Sequence, residues 1–400
     1  MPVEWKKQRD SALPPKRMDG SMLKQPLFWL LLSSALVISM LSRNFINQRE
    51  ELFQYSEDLP DIISLVNDAY VDQVDMGKLM PGVFQGAIEA ADINASYIAP
   101  GMETEPYWTE VYQKWGMVIV RETGYIKVVA VAPDSPATQA GIEKGHFLRR
   151  IASTSTRQMN VYQARRTLAT WRGPLTLTAV DPSSGDEQEL TLEAKPFPLP
   201  KAELHLHGED ILRISLPCFY PGWAQEVEEL LQPKLGPQSK IMLDLRQNAL
   251  GEEADLLALA ALFFKKGEIL QWHGAHTAPI SLLNPSDGTF SQQTLFLLID
   301  PSTCWAAELF AGAAQANGQA TLVGSPTLGL VMGYQFLPLK NGGYLHFSLK
   351  NAGLGNGQMI THKGLKPDWD LTQAPPASDE NFLKKAIEHL SRAELTRKAS

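Results

Sequence analysis

Apolar residues follow several distinct patterns along the chain. Residues 25–42, QPLFWLLLSSALVISMLS, hold 18 uncharged positions between Lys24 and Arg43. That length is near the lower limit for a bilayer-crossing helix and predicts a single transmembrane anchor. A cleaved leader is the rival reading, but the basic start is 24 residues long and SMLSRNF has no A-x-A pattern. Beyond the anchor, Ile62, Ile63, Val66 and Tyr70 fall near one helical face. A second helix is expected over 76–92, in a segment ended by Pro100 and Gly101. The pattern then shortens to β-branched runs, GMVIV and YIKVVAVA, followed by an amphipathic helix, VYQARRTLATWRG, and a closing strand, PLTLTAVD. The proline-bearing stretch AKPFPLPKAEL reads as a linker. From Ile211 strands and helices alternate: ILRISL, GWAQEVEELLQPKL, KIMLDLR, EEADLLALAALFF, TLFLLID, WAAELFAGAAQANG, QATLVGS. This order predicts an α/β layer with crossover helices. SDENFLKKAIEHLSRAEL reads as a C-terminal amphipathic helix.

With 400 residues and 44% hydrophobic content, two or three packed domains are expected. The formal charge of −8 disfavours nucleic acid as a partner. Acidity is uneven, since residues 1–43 hold seven basic and three acidic side chains. A basic excess before an anchor puts the N-terminus in the cytoplasm, leaving the bulk of the chain on the other side, the periplasm of a bacterium. Only Cys218 and Cys304 occur, without metal-ligand spacing. They read as buried free thiols, although an oxidising compartment would allow them to pair. His205 and His207 share a strand face by spacing and could join His273 and His276 on a metal, but no carboxylate spacing supports this. Neither a metal nor a cofactor is expected.

Residues 113–182 resemble a PDZ domain. The matching features are Gly116-Met117-Val118, Ser135-Pro136-Ala137, Ala140-Gly141-Ile142 and the helix near 160–171; His146 stands where aspartate is usual. The resemblance implies capture of an extended peptide C-terminus at a sheet edge, with Gly116, Met117 and Val118 as the peptide-binding positions.

Four further segments, IMLDLRQNALG (241–251), LIDPSTCWAAELFAG (298–312), VGSPTLGLVMGYQ (323–335) and GLKPD (364–368), resemble the C-terminal processing (tail-specific) serine peptidases. That family places its nucleophile in S-A-S-A-S-E and a lysine base in T-F-G-K-G. A serine hydroxyl needs such a neighbour to remove its proton. Aligned on Glu308, the nucleophile position falls on Trp305, and the base position falls on Leu330. The two are 25 residues apart, as in the family. The assisting glutamine falls on Tyr334, with Gln335 one place off. The oxyanion loop D-L-R-x-N-P-G-G becomes Asp244 to Gly251, with Ala249 and Leu250 replacing Pro and the first Gly. Meanwhile Asp244, Arg246, Glu308, Gly324, Gly329, Gly364, Pro367 and Asp368 keep the family pattern. An indole and a leucine side chain there could pack together and fill the cleft, or leave a usable pocket; the sequence does not decide between the two. A displaced nucleophile, Cys304 or Ser302, is the competing reading, but nothing in the second motif would activate it.

The resemblance implies an α/β fold: a PDZ-like β domain plus a crotonase/ClpP-like peptidase core, with N-terminal helices after the anchor. The expected division is a basic tail at 1–24, the anchor at 25–42, a helical region at 43–112, the PDZ domain at 113–182, a linker at 183–205, the core at 206–372 and a C-terminal helix at 373–400. The implied role is a membrane-anchored pseudopeptidase that binds protein C-termini or partner proteins. It would act alone, as a homo-oligomer, or with an active peptidase. An active endopeptidase with an unconventional site is the alternative.

Overall fold

The computed structural model describes residues 58–372, apart from 209, 237, 332 and 362, together with residues 381–388. The expected tail and anchor at 1–24 and 25–42 lie outside the described residues. Among the described residues no helix is long and apolar enough to cross a membrane. The described residues divide into two compact units between Leu79 and Met80. In the first, residues 58–69 form helix α1, on which Ile62 and Leu65 are exposed. Helix α2 (Met76–Glu89) follows.

The second unit takes in α2 from Met80 onward, strand β1 (Ser96–Ile98) and helix α3 (Trp108–Trp115), then folds into a β domain. Its order is β2 (Met117–Glu122), β3 (Tyr125–Val131), α4 (Pro136–Gln139), β4 (Phe147–Ile151), β5 (Thr154–Ser155), α5 (Val161–Thr170), β6 (Leu175–Val180) and β7 (Glu187–Leu192). The sheet runs β2-β3-β4-β6-β7, with β5 paired to β4. Helix α5 starts where the sequence supplies a reciprocal cap. Asn160 Oδ1 accepts the Gln163 N–H at 2.8 Å, and the Asn160 N–H donates to Gln163 Oε1 at 2.9 Å. A buried apolar cluster including Trp115, Ile126, Leu148 and Leu168 holds this domain together. The stretch expected to link domains at 183–205 is partly ordered sheet, because β7 extends the β domain to Leu192.

The core follows as β8 (Glu203–His207), β9 (Ile211–Ser215), α6 (Trp223–Leu231), β10 (Lys240–Asp244), α7 (Glu253–Phe263), β11 (Gly267–Gly274), β12 (Ile280–Asn284), β13 (Thr294–Ile299), α8 (Trp305–Ala316) and β14 (Ala320–Gly324). It ends with β15 (Tyr334–Pro338), β16 (Tyr344–Ser348), β17 (Lys350–Gly353), β18 (Trp369–Asp370) and helical residues 381–388, α9. The main sheet has the order β18-β14-β13-β10-β9-β8, parallel except at β8. Its strands are apolar on both faces, as covered parallel strands must be. Ile241, Leu243, Leu297 and Ile299 point into the large cluster shared with α6, α7 and α8. The alternate residues Met242, Leu298 and Val323 meet Phe382, Leu383, Ala386 and Ile387 of α9. Two smaller sheets, β12-β11-β17 and β1-β16-β15, complete the core.

Candidate functional site

The loop from β13 into α8 carries the positions singled out in the sequence, and its backbone is pinned at every step. Asp300 Oδ1 accepts the Ser302 N–H at 2.8 Å, and Thr303 Oγ1 accepts the Asp300 N–H at 3.0 Å while donating to Leu245 O at 3.0 Å. The Cys304 N–H donates to Asn248 O at 3.0 Å, tying this loop to the 244–251 loop. The Trp305 N–H donates to Leu330 O at 2.9 Å. Positions 305 and 330, paired in the sequence by their interval, therefore meet in space.

Trp305 has a φ of 48°, in the left-handed region that non-glycine residues rarely adopt. Such a turn projects the first side chain of a helix outward from the end of a strand. Here that side chain is an indole, 2% exposed, set edge-to-face with Trp108 at 4.3 Å between ring centroids. On the other side of the contact, the Arg165 guanidinium of α5 lies 3.0 Å from the Trp108 ring centroid.

The supporting loops hold their shape around glycines that cannot be replaced. A Cβ on Gly324 would lie 2.1 Å from Ile299 O, and one on Gly364 would lie 2.1 Å from Thr327 O. Between these loops sits Glu308, wholly buried on α8. One carboxylate oxygen accepts the Gly329 N–H at 2.8 Å and the Thr327 hydroxyl. Burial raises its pKa to about 7, against the hydrogen bonds that lower it. Asp244 pairs with Arg246 at 2.8 Å and Arg213 at 3.1 Å, so both retained charges of that motif are architectural. Gly251 follows with a φ of 145°, where a Cβ would collide with Phe219 and Ala306.

Leu330 and the indole leave the cleft open. Above Trp305 lies a cavity of about 470 Å³ with Trp108, Trp272, Tyr334, Phe336 and Leu250 among its walls. Trp305 is one wall of it rather than a plug, because its edge-to-face contact with Trp108 draws the indole aside. Tyr334, at the assisting position, donates its hydroxyl to Asp92 Oδ1 at 3.1 Å. Burial, and then the Asp92 charge, push that hydroxyl well above the usual tyrosine range. His346 stacks on Phe336 at 4.3 Å, and burial followed by the Arg165 charge lower its pKa to about 3. Both groups are neutral at physiological pH.

The displaced candidates are sealed. Ser302 and Cys304 are 0% exposed, and Ser302 Oγ has no hydrogen-bond partner among the described residues. Burial, with Glu308 and Asp300 nearby, pushes the Cys304 thiol well above its ordinary range, so no thiolate is available. Cys218 and Cys304 are both free thiols. His205 and His207 lie on β8, whereas His273 lies on β11 of another sheet.

Gly116, Met117 and Val118 lie at the start of β2, the terminal strand of its sheet. Gly116 caps α3, and Met117 and Val118 are buried in β2. Farther along β2, the outward groups are engaged from within: Ile119 O accepts from Arg165 at 3.2 Å, and the Arg121 N–H donates to Asn94 Oδ1 at 2.7 Å. Trp115 closes the gap to α5 by donating to Leu168 O at 2.8 Å. Trp108, Arg165 and Asp92, which no motif in the sequence marks, complete the site from far along the chain.

Residues 210–371 match the profile of peptidase family S41. The carboxy-terminal-processing protease of Bartonella bacilliformis is 24% identical over 380 residues, spanning 90% of this chain and 86% of that one. The carboxy-terminal processing protease CtpA of Bacillus subtilis is 22% identical over 355 residues, spanning 85% and 76%. Among solved structures, a photosystem II D1 C-terminal processing protease superposes with a TM-score of 0.63 at 15% identity, covering 79% of this chain and 88% of that chain. That last likeness is one of fold.

Proposed function

We propose, for a chain whose residues 210–371 belong to peptidase family S41, a protein-binding role without peptide cleavage. One observation carries this reading. The turn that would seat a nucleophile and the loop that would bring a base meet through the Trp305 N–H and Leu330 O at 2.9 Å, yet they present an indole and an aliphatic chain. Neither can take part in acyl transfer. The retained left-handed turn and the buried Glu308 clamp support a scaffold kept in shape after its reactive groups were replaced.

The alternative, an active endopeptidase using Cys304 or Ser302, requires an exposed and activated nucleophile, and both side chains are wholly buried. The β domain is read as PDZ-like. With its β2 edge occupied internally, the open cavity above Trp305 is the better place for a partner. The segment at 25–42 is proposed to anchor the protein in a bacterial inner membrane, with the bulk of the chain in the periplasm, alone or beside an active peptidase.

The test compares the full-length chain with its Trp305→Ser/Leu330→Lys variant, using a fluorophosphonate probe and casein. The natural chain is expected to show neither labelling nor cleavage. The variant is expected to label slowly, since the altered Ala249-Leu250 loop removes roughly 3 kcal/mol of oxyanion support. Casein cleavage by the natural chain that disappears in Cys304→Ala or Ser302→Ala would overturn the proposal.

A further inference from the structure

Resting on the non-cleaving reading, we infer that the cavity above Trp305 takes an extended polypeptide segment with a large apolar side chain flanked by lysine or arginine, rather than a free C-terminal carboxylate. The walls set the first requirement. Trp108, Trp272, Trp305 and Phe336 give an aromatic interior, and about 470 Å³ exceeds what one side chain occupies. An apolar anchor seated there would desolvate aromatic surface, the type of contact that dominates protein recognition.

The mouth sets the second requirement. Glu105, Glu252 and Glu253 line the cavity and are exposed, against one lysine, Lys350, which is half-buried. Glu253 is held toward the interior because the Trp272 indole N–H donates to its Oε2 at 2.9 Å. Three carboxylates against one ammonium repel a terminal carboxylate and attract basic side chains on either side of the anchor. Arg165, buried and stacked on Trp108, is not among the residues that line the cavity.

The backbone sets the third requirement. Tyr334, Gln335 and Phe336 are consecutive in β15, and all three line the cavity. Tyr334 and Phe336 share a sheet face with His346 of β16, which also lines the cavity, and Gln335 between them reaches it too, so the cavity lies where that face meets the border of β15. β15 is the terminal strand of its sheet, paired only with β16 among the described strands. An extended segment can add to that edge.

The experiment follows tryptophan fluorescence of the full-length chain, since three of the lining residues are tryptophans. The probes are the end-capped pentapeptide Ac-Gly-Lys-Phe-Lys-Gly-amide, its charge-inverted form Ac-Gly-Glu-Phe-Glu-Gly-amide, and the uncapped Gly-Glu-Phe-Glu-Gly. The basic peptide is expected to bind saturably and about tenfold more tightly than either acidic one, with that advantage lost in Glu105→Gln/Glu252→Gln. Equal binding of the three peptides, preference for the uncapped acidic peptide, absence of binding, or indifference to the double variant would each overturn the inference. Mass spectrometry of the same mixtures separates this from the underlying reading: intact peptides with no charge preference sink only the inference, whereas cleaved peptides sink the non-cleaving role.

Discussion

Glu308 is the residue at which the site and the stability of the protein are linked. It is wholly buried, and its pKa is raised from about 4.5 to about 7 by burial. A carboxyl whose folded pKa is raised stabilises the fold most below the unfolded value. That contribution is lost as pH climbs through the window between about 4.5 and 7, and it stays lost above. A shift of this size is worth roughly 3 kcal/mol. Glu308→Gln keeps an acceptor for Thr327 and Gly329 without the ionisation, so its urea midpoint is expected to flatten across that window while the natural chain weakens. An unchanged slope would show that Glu308 is not the titrating group. The alignment of Trp305 with Leu330 was legible in the sequence because an interval between two motifs survives substitution of both reactive residues. Trp108 and Asp92 were not legible. Asp92 reaches Tyr334 across 242 positions of sequence, and no local periodicity marks such a contact.

Among the elements, α5 carries an unusual load. Arg165 is 2% exposed, donates a hydrogen bond to Ile119 O at 3.2 Å, and leaves its Nε without a partner among the described residues. Burial lowers its pKa well below the ordinary arginine value. A guanidinium buried without a carboxylate is a net cost that packing of similar volume can relieve. Arg165→Met is therefore expected to raise the urea midpoint by about 1–3 kcal/mol of stability. A loss instead would mean that stacking on Trp108 outweighs desolvation. The alternating strands and helices of the main sheet were readable because covered parallel strands are apolar throughout. Strand β7 was not, since EQELTL is largely solvent-exposed and falls within the 183–205 bounds expected for the linker. The meander of β15 to β17 was missed for the same reason. Half-buried strands of mixed polarity lack the contrast that periodicity requires.

The whole core is a sheet with two coats: α6 to α8 on one face and α9 on the other. The second coat is thin. Phe382, Leu383, Ala386 and Ile387 cover Met242, Leu298 and Val323, and the Arg246 guanidinium rests 4.9 Å from the Phe382 ring centroid. A chain stopped at residue 372 is expected to bind an apolar dye and to sediment as aggregate, because the bared patch joins several strands at once. A truncated chain that stays monodisperse would show that the covering is dispensable. The cover also imposes an order in time. β9, β10, β13 and β14 leave the ribosome well before residues 381–388 exist, so a nascent chain carries one naked sheet face until synthesis has nearly caught up with it. During that interval the growing polypeptide is a client for whatever shields apolar surface in the cell.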